Sequence, residues 1–126
     1  MPSCEVRVFR DQEGNCPLQD WIENLEDREP VAYARCLDAI LQLSLNGYDL
    51  RRPRADFLRD GIYELRAKQG HVQYRLLYFF HGRQVAILAH SLTKEDKIPD
   101  VDIERAIKRK KLFEANPKEH TYESEN

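Results

Sequence analysis

The stretch GIYELRAKQGHVQYRLLYFF, residues 61–80, constrains the fold of this chain more than any other part of its sequence. Its residues largely alternate between apolar and polar, and a Gln-Gly pair interrupts the alternation. A period of two predicts β-strands, here near residues 62–68 and 72–80. A third strand is expected near residues 84–92, after the turn HGR. Because both turns are short, the three strands should form an antiparallel meander.

The same alternation predicts which side chains share a face of the sheet. Apolar residues such as Leu65 and Leu76 point to one face, which can pack on helices. Glu64, Arg66 and Arg75 point to the other face, which is half apolar and therefore expected to be a partly covered, concave surface. Two arginines that converge there repel each other unless an anion lies between them. That anion is either Glu64, in a structural ion pair, or the phosphate or carboxylate of a ligand, and the residue types leave both readings open.

A strand and two helices are predicted to precede the meander. The segment CEVRVFRD, residues 4–11, alternates and indicates a first strand. Apolar residues at helical spacing predict a short helix from Leu18 to about Glu26, and a second from Pro30, which is tolerated in a first turn, to an Asn-Gly stop. The apolar face of the second helix is expected to consist of Val31, Ala34, Leu37, Ile40, Leu41 and Leu45.

The other segments are assigned from breakers, charges and length. Residues 48–60 contain four arginines and a proline, and we expect a loop or irregular crossover. Asp102 is expected to cap a final helix that runs to about Glu114. A chain of 126 residues has the size of one domain. Residues 1–115 are therefore predicted to form a single α+β domain, and the polar residues 116–126 a flexible tail.

The net charge of −2 hides a strong segregation of charge along the chain. Residues 51–111 contain 15 Lys and Arg against 8 Asp and Glu, a net of +7, whereas the rest has 5 against 14, a net of −9. The basic segment could face phosphates while the acidic parts keep the protein soluble. The alternative is chance together with a solvated helix face.

Cysteine usage and hydropathy indicate a cytoplasmic protein. The three cysteines, Cys4, Cys16 and Cys36, are odd in number, which favours reduced thiols over a disulfide framework. They form no CxxC pair, so no metal site is expected. No run approaches the roughly 18 apolar residues of a membrane span, and the start of the chain lacks the order of a secretory signal.

The sequence motifs give little support for most kinds of active site. No Ser-His-Asp order or nucleophile elbow accompanies His90, which is expected to be a packing residue. The sequences GxGxxG and GxxxxGK[ST] are absent, so no nucleotide cofactor is expected. Metal-free cleavage of RNA is the activity that remains compatible with the sequence, because RNA supplies its own nucleophile, the 2′-hydroxyl. Arginines would stabilise the charged transition state, Glu64 or Asp56 could act as base, and a lysine as acid or base.

Four pieces of the chain, in order, resemble the RelE/HigB-type toxins of bacterial toxin–antitoxin pairs, and most closely their phage-derived, HigB-like branch. The pieces are DGIYELR, YRLLYFF, HSLTKEDKIP and DIERA, spread over about 50 residues. The resemblance implies an N-terminal strand and a two-helix hairpin packed on a curved antiparallel sheet, with a C-terminal helix. It implies a ribosome-dependent endoribonuclease that cuts messenger RNA by 2′-hydroxyl attack, without a cofactor, and a cognate helix-turn-helix antitoxin as partner.

The resemblance also implies roles for individual residues. Arg75 corresponds to the phosphate-stabilising arginine of the family, Arg66 to a supporting basic residue, and Lys94 to the first lysine of the family's Lys-Lys pair. Glu95 stands where the second lysine is expected, although Lys97 follows two residues later. At the positions where the representative enzyme of the family has catalytic lysines, this chain has Ile62 and Glu64. The general base therefore cannot be assigned by analogy. The RNA-binding candidates are Lys68, Arg52, Arg54, Lys97, Lys108 and Lys110.

The sequence leaves several interpretations open. The basic run KRKK of the final helix is either a solvated face or a surface that docks on ribosomal RNA. The segment RRPR, residues 51–54, either grips the RNA backbone or is simply exposed. For the whole chain, the alternatives to a nuclease are a ParE-like toxin that binds gyrase without enzymatic activity, and an inactive relative that binds an antitoxin or regulates.

Overall fold

The computed structural model of the protein describes residues 3–94 and 97–123, with the side chain of Lys94 excepted. Within these residues, three α-helices, one short 3₁₀ helix (Gly47–Asp49) and five strands alternate irregularly. The strands are β1 (Glu5–Val8), β2 (Ala55–Arg59), β3 (Ile62–Gln69), β4 (Val72–His81) and β5 (Val85–Lys94), and the helices are α1 (Pro17–Arg28), α2 (Pro30–Asn46) and α3 (Asp100–Ala115). No helix in the described ranges is both long and apolar enough to span a lipid bilayer.

The five strands form one mixed sheet in the order β1-β5-β4-β3-β2. The meander predicted from the sequence is confirmed, since β3, β4 and β5 pair antiparallel. β1 joins the sheet parallel to β5. The two helices take the chain from β1 to β2 at the opposite edge of the sheet, and the antiparallel strands then return to β5. The predicted α+β, RelE-like class is thus confirmed, with a mixed rather than a wholly antiparallel sheet.

β2 is a strand that the sequence did not reveal. Residues 48–60 were expected to be a loop or crossover, but Ala55–Arg59 pair antiparallel with β3 at the edge of the sheet. The two strands are joined at Asp60 and Gly61, whose φ angles of 53° and 81° suit the tight turn that matches strand twist. An edge strand needs only one partner, so its arginines and its nearby proline are compatible with pairing.

The sheet separates two hydrophobic cores. On one side, α1 and α2 cover residues such as Leu65, Leu76 and Tyr78. On the other side, α3 covers Ile62, Leu77 and Phe79 through its buried Ala106 and Phe113, the latter contacting Phe79. This division into faces is the one that alternation predicted. Because α3 covers only part of its side, the charged residues of the same face remain beside it.

The buried face of α2 is the opposite of the predicted one. The residues that pack on the sheet are Ala32, Cys36, Ala39 and Leu43. Of the predicted set, only Ile40 packs against this core, while Val31, Ala34, Leu37, Leu41 and Leu45 are exposed. α2 is apolar on nearly all sides, so its sequence offers two faces, and small residues at three of the four buried positions let the helix backbone approach the sheet.

The segment after α3 returns to β1. The backbone N–H of Tyr122 donates to the carbonyl of Val8, and Thr121 forms a bridge with Phe9. The ring of His120 is buried and stacks on that of Phe9. Residues 116–126 were expected to be flexible, and that expectation stays a prediction. Their described part nevertheless makes specific contacts with the first strand.

Candidate functional site

Arg66 and Arg75 lie directly opposite each other on β3 and β4. Glu64, two residues before Arg66 on the same face, lies between their side chains. The Nε of Arg66 and the Nη1 of Arg75 each donate to Oε1 of Glu64 over 2.7 Å. The side chains are 5% exposed for Glu64, 11% for Arg75 and 29% for Arg66. Two cations and one anion give this cluster a net charge of +1.

Two more residues extend the cluster towards the edge of the sheet. Asp56 of β2 lies opposite Glu64, and its Oδ2 is 3.6 Å from Nη2 of Arg66. The Nη2 of Arg52 is 2.8 Å from the same Oδ2. The hydrogen bond from Arg52, with help from the charge of Arg66, lowers the pKa of Asp56 below its ordinary value. Asp56 is therefore a carboxylate at neutral pH, and charges of alternating sign run from β2 to β4.

Glu64, Arg66 and Arg75 form the floor of an open cleft between the sheet and the start of α3, which we call the α3-side cleft. Its volume is about 570 Å³. The residues that line it are Glu64, Arg66, Arg75, Lys97 and Asp100, with Leu58, Ile98 and Ile103 as apolar neighbours. The sequence left open whether Glu64 or a ligand pairs with the arginines. Glu64 does pair with both, and both also border open space where an anion can approach them.

A second cleft lies at the other side of Arg66, and we call it the α2-side cleft. β3 extends beyond the start of β2, because Ala55 pairs with Leu65 and the N–H of Arg66 donates to the carbonyl of Arg54. The cleft, of about 490 Å³, lies where the edge of β3 is left uncovered. It is lined by Arg35, Asp38, Pro53, Arg54, Arg66, Ala67, Lys68 and Gln73.

The RNA-binding candidates from the sequence are thus divided between separate surfaces. Lys97 lines the α3-side cleft, while Arg54 and Lys68 line the α2-side cleft. Lys108 is exposed on α3. The Nζ of Lys110 is 3.2 Å from Oε2 of Glu114, and the Lys110 side chain lies close to Gly61 in the turn between β2 and β3. Neither lysine lines either cleft.

The lysine position that the family resemblance singled out is only partly described. The backbone of Lys94 pairs opposite Gln73 at the end of β5. The side chain of Lys94 and the whole of Glu95 lie outside the described residues. Their proposed roles therefore stay predictions, as do those of the other site residues.

His90 is a buried, hydrogen-bonded residue beneath α3, as the sequence suggested. Its Nε2 is 2.7 Å from Oδ1 of Asp102, and Nη1 of Arg109 donates to the neighbouring carbonyl of Ala89 over 2.7 Å. Burial lowers the pKa of His90, and the hydrogen bond that His90 donates to Asp102 only partly offsets that effect. The His90–Asp102 pair therefore joins α3 to β5 and does not line either of the two clefts.

Arg35 is the cleft residue that the sequence reasoning missed. It lies on α2, and its Nη1 donates to the carbonyl oxygen of Lys68 over 2.8 Å. Arg35 and Asp38 are the only charged residues in the sequence of α2. They lie three positions apart, so they share one side of the helix. This pair of charges on an otherwise uncharged helix was the sequence signal for a polar contact. It could not be interpreted without knowing which face of α2 is buried.

A comparison with protein families covers the region that contains both clefts. A model described as Phage derived protein Gp49-like (DUF891) matches residues 20–111, nearly three quarters of the chain. The matched span begins in α1 and ends in α3, and it includes Glu64, Arg66 and Arg75. No curated protein matches the chain.

Proposed function

Because the chain belongs to the Gp49-like family of phage-derived proteins, a family associated with type II toxin–antitoxin systems, we propose that it is the toxin of such a pair and cleaves messenger RNA on the ribosome. The observation that carries the proposal is the meeting of Arg66 and Arg75 at the floor of the open α3-side cleft. Guanidinium groups hold phosphate oxygens in a planar, two-pronged geometry, which suits an RNA backbone.

The proposed reaction uses the nucleophile that RNA itself carries. The 2′ oxygen attacks the adjacent phosphorus, and the bond from phosphorus to the 5′ oxygen breaks. One proton leaves the 2′-hydroxyl and one joins the departing 5′ oxygen, so the products are a cyclic phosphate and a free 5′-hydroxyl. The protein has to align the reactants, move the protons and stabilise the extra negative charge on the phosphate.

The arginines are proposed to stabilise that charge. Arg75 would contact a phosphate oxygen from the floor of the cleft, with Arg66 beside it and Lys97 across the opening. Removal of one such donor typically slows a reaction by about 10²–10³-fold. Lys94, at the end of β5, is proposed as a further cation on the strength of the family resemblance.

Glu64 and Asp56 differ in how well each could act as the general base. Glu64 is the more buried and already accepts hydrogen bonds from both arginines, so we assign it the role of positioning their guanidinium groups. The Asp56 side chain is 26% exposed and its Oδ2 lies 3.6 Å from Nη2 of Arg66, although Asp56 is not among the residues that line the α3-side cleft. Its lowered pKa keeps it deprotonated at neutral pH but also makes it a weak base. Asp56 is therefore the proposed proton acceptor.

The test replaces Arg75 and compares it with an arginine far from the cleft. Arg75→Ala is expected to abolish growth arrest on expression, and to remove ribosome-dependent cuts mapped by primer extension. Arg83→Ala, in the exposed turn after β4, is the matched control and should leave both unchanged. Purified protein is expected to cut messenger RNA with ribosomes present and not without them.

Folding has to be checked alongside activity, since Arg75 is nearly buried. Circular dichroism and thermal unfolding of each variant provide that check, and Arg66→Ala, at a more exposed residue, is a second variant of the same cluster. A folded Arg75→Ala protein that arrests growth and cuts messenger RNA like the parent would refute the proposal.

One observation favours a second candidate function. Glu64 already supplies the anion that the arginines require, as it would in a purely structural cluster. A relative without cleavage activity, which acts by binding an antitoxin or another regulatory partner, would have this arrangement. The two candidates differ in one measurement, because the second gives no new 5′ ends in messenger RNA from cells that express the chain.

The proposal also implies a partner and a location. A toxin of this type acts on ribosomes in the cytoplasm and is held inactive by an antitoxin, which we expect to be a helix-turn-helix protein. A reading frame for such a protein beside the gene, and rescue of growth by its co-expression, would support this part of the proposal.

A further inference from the structure

Among the residues that line the α2-side cleft, basic side chains outnumber acidic ones. Arg35, Arg54 and Lys68 line it against the single acidic residue Asp38, a net charge of +2. Arg66 also lines it but is already paired with Glu64 and Asp56. The whole chain carries a net charge of −2. A local excess of this size in a concave site concentrates the field on whatever anion enters it.

Two of these arginines are held in place by contacts that leave the cleft open. Arg35 Nη1 donates to the carbonyl of Lys68 over 2.8 Å, and Arg54 Nη1 lies 2.9 Å from Oδ2 of Asp38. Each guanidinium group has five N–H donors, and these contacts use few of them. The side chain of Lys68 is exposed at the end of β3. Donors fixed before binding lose less entropy when a ligand arrives.

Arg66 connects this site to the proposed reaction centre. It lines both clefts, since it lies where β2 begins and the edge of β3 becomes uncovered. An extended anion that contacts Arg66 and Arg75 on the α3 side can therefore continue past this edge to Arg54 and Lys68. A polymer with a charge on every unit fits such a track better than a single small anion does.

The contact of Arg35 distinguishes between two kinds of extended anion. An acidic peptide could add to the uncovered edge of β3 as a further strand, and it would need the carbonyl of Lys68 as an acceptor. Arg35 already occupies that carbonyl. A nucleic-acid backbone makes no such demand, because its phosphates need only donors. The arrangement therefore favours phosphodiester over peptide.

We propose that the α2-side cleft, with Arg35, Arg54 and Lys68, is a second phosphate-binding site for the same single-stranded RNA, one that holds the strand beside the cleavage site. This inference rests on the proposed function, because it takes the reacting phosphate to lie at Arg66 and Arg75. It assigns a binding role to Arg35, on a helix that otherwise supports the sheet.

The test measures binding without cleavage. The full chain is titrated with a fluorescent 2′-O-methyl RNA of about 12 nucleotides, which has no free nucleophile, and anisotropy is followed over a range of salt. The variant is Arg35→Gln/Lys68→Gln. The matched control, Arg28→Gln/Lys118→Gln, removes the same two charges from exposed positions outside both clefts.

We expect the site variant to bind at least about tenfold more weakly than the parent. Its plot of log K against log salt should be shallower by about 0.7 for each RNA phosphate that the variant no longer neutralises. The control should bind within about twofold of the parent with an unchanged slope. Lys68→Gln alone, at an exposed strand end, should show part of the weakening and keeps the test valid if the Arg35 change perturbs folding.

Two outcomes would overturn the inference. One is equal binding by the site and control variants. The other is a poly-glutamate peptide that displaces the RNA and loses affinity in the same variants, which would identify an acidic protein segment as the occupant. Failure here is distinct from failure of the proposed function, because ribosome-dependent cleavage by the parent and its loss in Arg75→Ala are measured independently.

Discussion

Nη1 of Arg75 lies 2.7 Å from Oε1 of Glu64, and this ion pair is set into the sheet rather than on its surface. Charges taken out of water are tolerated only when each has a close partner. The pair therefore has two consequences. It makes the stability of the fold depend on the same residues that are proposed to bind phosphate, and it holds the guanidinium of Arg75 at the floor of the cleft.

Glu64→Gln is the first prediction, and it concerns stability. The substitution leaves Arg66 and Arg75 opposite each other without the carboxylate that separates them. Loss of one member of a buried pair typically costs about 3–5 kcal/mol of unfolding free energy. Urea denaturation of the parent and the variant measures the difference. Glu104→Gln, which breaks an exposed contact with Arg59, is the control and should change the urea midpoint little. Equal midpoints for the two variants would contradict the burial of the pair.

The second prediction concerns the two apolar faces of α2. Leu43 is fully buried, whereas Leu41 is 52% exposed. Leu43→Ala is expected to lower the unfolding free energy by about 2–5 kcal/mol, because it leaves a cavity under the helix. Leu41→Ala should change it by less than about 0.5 kcal/mol. Both are measured by denaturant unfolding of the purified protein. The reverse order of effects would mean that α2 packs through the face first expected from the sequence.

A third prediction follows from the burial of Cys36. This thiol has no exposed surface, and burial raises its pKa to about 11. Only the thiolate reacts with alkylating reagents. In native protein treated with iodoacetamide at pH 8, Cys36 should therefore be the slowest of the three cysteines to be labelled, as quantified by peptide mass spectrometry. In urea the three should react at similar rates. Rapid native labelling of Cys36 would show that α2 does not seal its side of the core.

The fourth prediction is a pH dependence that originates at His90. Burial beneath α3 lowers its pKa, Arg105 and Arg109 of that helix also disfavour the charged ring, and Asp102 opposes them only in part. The unfolded chain therefore binds a proton more readily than the folded one. The resulting stability is complete above the unfolded pKa, about 6.5, and is lost as the pH falls below it towards the folded pKa.

Replacement of His90 isolates that contribution from the carboxylates, which also titrate in acid. The unfolding free energy of the parent should fall more between pH 7.5 and pH 5 than that of His90→Gln. His71→Gln, in the exposed turn between β3 and β4, is the control and should follow the parent. An identical pH dependence in the parent and His90→Gln would refute the assignment.

The parts of the fold that the sequence predicted are those fixed by short-range geometry. The meander follows from alternation and two short turns, and the same alternation predicted the shared face of Arg66 and Arg75. The cross-strand register that puts these two residues opposite each other follows from the tight turn at residues 69–72. The sequence could not show whether Glu64 or a ligand pairs with the two arginines. That depends on how closely the side chains of Glu64, Arg66 and Arg75 approach one another.

The parts that it failed to predict depend on contacts between distant segments. α2 offers apolar residues on two faces, and only the sheet selects the face with Cys36 and Leu43. β2 has a loop-like composition and becomes a strand because β3 is available to pair with it. Arg35 contacts the uncovered end of β3 only because α2 passes it in the fold. Its partner, the carbonyl of Lys68, lies 33 residues further along the chain.

The return of the segment after α3 to β1 has a consequence for solubility. β1 is hydrogen-bonded by β5 along one side, and on the other side residues 120–122 contact its last residue, Val8, and the following Phe9 and Arg10. An uncapped strand at the border of a sheet is a template for strands of neighbouring molecules. A chain shortened after Ala115 would lose the ring of His120 from Phe9 and leave that border bare. We therefore expect residues 120–122 to hinder strand pairing by a neighbouring molecule at this end of β1.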